Sequence, residues 1–145
     1  MDRTAIRSLS QLLRRASDDR ELYLKAASMV SEPGLRAVFT EMAATLAVTV
    51  GELRREVEAR GGSITTQASL AGRQRALMAA WRMRLAGNPD NAGIALLERA
   101  ENRLLRHFEA IAKNDPALAA LACRLLPRLR AVHLDMSTLV HGLRG

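Results

Sequence analysis

Asp19, Glu101 and His133 are the residues of this chain whose types and positions could do chemistry together. Each is the polar interruption of an otherwise apolar run: Asp19 in Leu9, Leu12, Ala16, Asp19, Tyr23, Ala26 and Val30; Glu101 in Ile94, Leu97, Glu101, Leu104, Phe108 and Ile111; His133 in Leu126, Leu129, His133, Met136, Val140 and Leu143. All three runs advance in steps of three and four, the spacing of a bundle-facing helical seam. An unpaired ionised carboxylate is costly there, so Asp19 and Glu101 are expected to be protonated, paired or metal-bound. Two carboxylates and an imidazole can hold one divalent iron, manganese or zinc ion, with open positions for water or Tyr23. They can equally form a buried hydrogen-bond network with Tyr23, in which Arg130 or a protonated His133 supplies the positive charge. The network is the expected reading and the single metal the alternative, because an adjacent arginine opposes cation binding.

The elements that must position these residues follow from the same periodicity and from caps. Helices are expected over about 4–30, 33–60, 91–113 and 116–143, with a shorter one over about 70–86. Pro33 suits a first helical turn, Gly61-Gly62 a helix stop, an Asn or Asp between Asn88 and Asn91 an N-cap, and Asp115-Pro116 the start of the last helix. Pro127 removes the hydrogen bond to the Cys123 carbonyl and is expected to kink or break that helix. Two short-linked antiparallel hairpins joined by a long crossover make an all-α four-helix bundle with ferritin-like connectivity. Asp19, Thr49, Glu101 and His133, each mid-helix, then fall at about one level, as a polar layer in a dry core.

Composition agrees with that class. The 145 residues suit one domain, and 48 % hydrophobic with only 3 % aromatic residues favours close-packed helices over sheets. A lone cysteine, Cys123, excludes an internal disulfide and reads as a small core residue; with no charged-then-apolar leader over Met1–Ser10, a cytoplasmic protein is expected. No apolar run reaches the length of a membrane span. The formal charge of +7 is mostly arginine scattered over several helices with few aromatics, which does not point to specific nucleic-acid binding. His107 is expected to face solvent, and Glu52 and Glu56 to be solvated, with Arg55 and Arg60 available for ion pairs.

The 70–86 segment sets Leu70, Leu77, Met78, Trp81 and Leu85 among Arg73, Arg75, Arg82 and Arg84. Such a basic amphipathic helix can lie on an anionic membrane or bind a partner's groove. The plainer expectation is a crossover helix whose apolar face covers the bundle.

Asp19 with Tyr23–Ala27, Leu35–Phe39, Glu52–Val57 with Gly61-Gly62, Ser69–Gly72 with Trp81, Glu98–Glu101 and Arg130–His133 together carry a resemblance. In their order and spacing the chain resembles an uncharacterised bacterial family of ferritin-like four-helix-bundle proteins, a domain of unknown function. It departs from that family at Arg20 and Leu22, where glycines are usual, and at Pro127. The resemblance implies a ferritin-like fold and no established activity. Di-iron bundles of this kind use a Glu on each of two helices and a Glu-x-x-His pair on each of the others. Here Asp19, Glu101 and His133 are in place, Leu46 and Thr49 replace one pair, and Arg130 stands where a glutamate would. A two-iron centre is therefore not expected. The protein is expected to be non-catalytic, a structural or partner-binding module or a homo-oligomer.

Overall fold

The computed structural model describes residues 3–62 and 70–144, apart from the side chains at positions 132, 133, 136, 137 and 140–144. Five helices account for nearly all of it: α1 (Arg3–Met29), α2 (Pro33–Ala59), α3 (Leu70–Leu85), α4 (Pro89–Asn114) and α5 (Ala119–Arg144). The described residues contain no strand, and the fold is all-α. None of the helices is long and apolar enough to cross a membrane, among the described residues.

Local chemistry sets the ends. Glu32 caps α2, its carboxylate accepting from Gly34 N at 2.9 Å and Leu35 N at 2.6 Å, with Pro33 in the first turn. At the other end Gly61 turns to φ 87°, its N–H donating to the Glu58 carbonyl and that of Gly62 to the Val57 carbonyl, the paired bonds of a Schellman stop. Asn88 caps α4 by accepting from Asn91 N at 3.1 Å. Asp115 closes α4 rather than opening α5: its side chain accepts from Ala117 N within a turn, and α5 begins at Ala119 instead of Pro116.

Pro127 does not break α5, which runs through it. Both Pro127 and Cys123, whose carbonyl loses its partner, are on the exposed side, where water can satisfy that oxygen, while Leu125, Leu126 and Leu129 hold the inner side. Cys123 is accordingly exposed and not a core residue.

α1 is the central element, packed against α2, α3 and α4, and α4 in turn holds α5. The core is one cluster that includes Leu9, Leu13, Tyr23, Phe39, Leu97 and Phe108. α2 and α5 scarcely touch; a cavity of about 700 Å³ opens between them, lined in part by Met42, Val48 and Leu139. They are tied by Glu52, which takes Arg128 of α5 at 2.8 Å and Arg124 at 3.8 Å and is thus not simply solvated. Glu56 does pair within its helix, with Arg60 at 2.9 Å.

α3 lies across α1 and α4 with its small residues inward: Gly72, Ala76, Ala79, Ala80 and Met83 are buried. Leu70, Leu77, Met78, Trp81 and Leu85 all face outward, from 54 % to 78 % exposed. The helix does pack on the core, against α1 and α4, but with the face opposite to the one its large apolar residues suggested. Small side chains let the backbones approach closely, and Met83 reaches over Gly93 of α4, where a β-carbon would meet its Cε at 2.8 Å.

Candidate functional site

The seam phase places Asp19 of α1 and Glu101 of α4 in the interior, 5 % and 4 % exposed, with Thr49 of α2 and Ser17 of α1 the other buried polar residues. Tyr23, one turn beyond Asp19, is fully enclosed. Burial holds its phenol well above the ordinary range, and the carboxylates of Asp19 and Glu101 add to the effect, so both acids act on one hydroxyl. Thr49 turns back on its own helix, donating to the Thr45 carbonyl at 3.2 Å.

The positive charge at this layer comes from a residue the helical seams did not single out. Arg75 of α3 donates through Nη2 to Oδ1 of Asp19, an ion pair linking the crossover helix to the central one. Arg130, the candidate from the last helix, is exposed. The difference has a simple cause: the helical seams identify residues that point into the core, whereas Arg75 enters from a helix laid across α1 and α4. Gly72, Ala76, Ala79 and Met83, stepping by four, three and four, were the available signal for the inner face of α3. Arg75 sits at its edge.

Asp19 feels two opposing influences. Desolvation raises its carboxyl, and Arg75, with Arg103 of α4, lowers it; burial prevails and the group rises from 3.8 to about 6. A cavity of about 120 Å³ reaches toward it, lined by Arg15, Asp18, Arg75, Arg103 and His107. His107 is half-buried there rather than in open solvent, and its imidazole is lowered by burial and by the charges of Arg15 and Arg103.

The His133 side chain, together with that of His141, lies outside the described residues, so the third member of the expected triad is not placed. Among the described residues no three His, Cys, Asp or Glu side chains gather as metal ligands. The arrangement that is described, two buried acids whose charges both act on a buried phenol, with one acid held by a guanidinium, can lock helices in register.

Comparison with protein families matches the model described as "Domain of unknown function (DUF2383)" over residues 4–114. The chain belongs to that family. No curated protein and no solved structure matches it.

Proposed function

From membership of a family whose description leaves its function open, we propose that the chain is a ferritin-like four-helix bundle of α1, α2, α4 and α5 whose polar layer is structural. On this reading it is cytoplasmic and works by binding a partner, not by catalysis. One observation carries the reading: the Arg75 guanidinium on the Asp19 carboxylate. In ferritin-like bundles the mid-core carboxylates hold metal. Here a cation fixed to the chain already neutralises Asp19, and a metal ion on the same carboxylate would face it at close range, where like charges repel strongly. The donor set with Arg75 in place does not fit a divalent cation.

A second reading keeps one iron, manganese or zinc ion on Asp19, Glu101 and His133. Its support is the burial of both acids around Tyr23, an arrangement a dry apolar core does not need.

Elemental analysis separates the two. Untagged protein prepared without chelator, and the Arg75→Met and His133→Ala variants, are incubated with iron(II), manganese(II) or zinc(II), desalted, and metal is counted per chain. The structural reading expects no near-stoichiometric metal in the unmodified protein. Metal that is retained there and lost in His133→Ala would establish the mononuclear site instead.

A further inference from the structure

We propose that the outer face of α3 is a docking surface for an anionic lipid bilayer, onto which the helix lies with its axis in the membrane plane. The argument starts from how the residues of α3 divide around its axis. At about 100° per residue, Leu70, Leu77, Met78, Trp81 and Leu85 fall within a stripe roughly 100° wide that is interrupted only by Gln74, and Gly72, Ala76, Ala79, Ala80 and Met83 fall on the opposite side. The first set is exposed and the second is packed on α1 and α4. The arginines take the two borders: Arg73 and Arg84 on one flank of the stripe and Arg82 on the other, where the Arg75 guanidinium is turned inward onto Asp19. The helix thus has an inner face committed to the protein, a largely apolar outer ridge about 22 Å long, and guanidinium groups bordering it, Arg73 and Arg84 on one side and Arg82 on the other.

This division suits a bilayer surface. An interfacial helix sinks its apolar ridge to the boundary between headgroups and acyl chains, and long cationic side chains on its flanks reach up to the phosphates. Trp81 in the ridge is of the type that favours that boundary. The charge continues beyond α3. On the Arg82 side a depression of about 460 Å³ between α3 and α4 is lined by Arg99, Arg103 and Arg106 of α4. On the Arg84 side Lys25 of α1 stands next to Leu77 and Trp81. Glu21 is the one acid among the described residues lining the three depressions that flank the ridge.

Charge also decides against a second copy of the chain as the occupant. Two copies pairing ridge to ridge would bring arginines against arginines, with no acid on α3 to alternate with them. An anionic lipid surface is complementary at every one of those positions. The proposal rests on the partner-binding reading given above, and the two are tested separately, because metal content reports on the polar layer and not on this face.

Trp81 is the only tryptophan of the chain, so its emission reports on the ridge directly. The full chain is mixed at low salt with phosphatidylcholine vesicles, with and without phosphatidylglycerol, and both the Trp81 emission and cosedimentation are followed. The expected result is a blue shift and pelleting with the anionic vesicles only, weakened as salt is raised. Met78→Glu with Leu85→Glu, two exposed positions outside the core, should abolish pelleting while the far-UV circular dichroism stays helical. Arg82→Glu with Arg84→Glu should lower partitioning by about tenfold or more. No shift with anionic vesicles, equal binding to neutral ones, or a shift that depends on protein concentration without vesicles would each overturn the proposal, the last in favour of self-association.

Discussion

Gly72 of α3 rests against the side chain of Asp18 on α1 with no room for a β-carbon: one built there falls 2.8 Å from the Asp18 Cβ and closer still to its carboxylate. This approach sets how near the crossover helix comes to the central one and brings Arg75, less than a turn later, within reach of Asp19. Gly72→Ala must displace Asp18 or lift α3, at a cost of about 1–3 kcal/mol. Urea denaturation should show the loss. Gly87→Ala, where the added atom meets nothing within 4 Å, serves as the neutral control.

Removing the guanidinium leaves an acid in a dry site. Breaking a fully buried ion pair costs about 3–5 kcal/mol, but the Arg75 side chain is 37 % exposed and part of that cost is screened. Arg75→Met should therefore destabilise the fold by about 1–3 kcal/mol at neutral pH. The double variant Asp19→Asn with Arg75→Met should recover part of the loss, and a double-mutant cycle that shows no coupling would refute the pair as a stabilising link.

The elevated carboxyl of Asp19 gives a signed pH dependence. With a folded value of about 6 against 3.8 for the free group, the native chain holds this proton more tightly than the unfolded one. Stability from this group is present at low pH, falls as pH rises from about 4 to about 6, and is constant above that. The gap of about two pH units corresponds to about 3 kcal/mol. The difference in unfolding free energy between the unmodified chain and Asp19→Asn should trace that fall; a rise over the same range would mean that Arg75 outweighs burial.

Asp90, in the first turn of α4, accepts from Ser31 N at 2.7 Å, Glu32 N at 3.2 Å and Ser31 Oγ at 3.3 Å. It ties the α1–α2 turn to the start of α4, and its charge suits a helix N-terminus. Asp90→Ala should lower stability by about 1 kcal/mol. Amide hydrogen exchange at Ser31 and Glu32 should accelerate more than at residues in the middle of α1.

The sequence by itself determined the all-α class and the inward faces of α1 and α4. Apolar steps of three and four locate the seams because a helix brings those positions to one side, and the seam residues set out for α1 and α4 are buried apart from Ile111, which is half-buried. Pro33 in the first turn of α2, the stop at Gly61-Gly62 and an Asn or Asp cap for α4 between Asn88 and Asn91 were legible because they depend only on neighbouring residues, whereas the Glu32 cap was not. Tertiary structure alone decided the rest. Which way α3 faces was not decided by periodicity, since a face of large apolar residues and one of mostly small residues compete for the core, and only the closeness of α1 and α4 selects the latter. The same packing chose Arg75 over Arg130 as the partner of Asp19, and Arg128 with Arg124 over Arg55 for Glu52. Pairings between residues 56 to 76 positions apart are fixed by where the helices sit, and a periodicity within one helix carries no information about them.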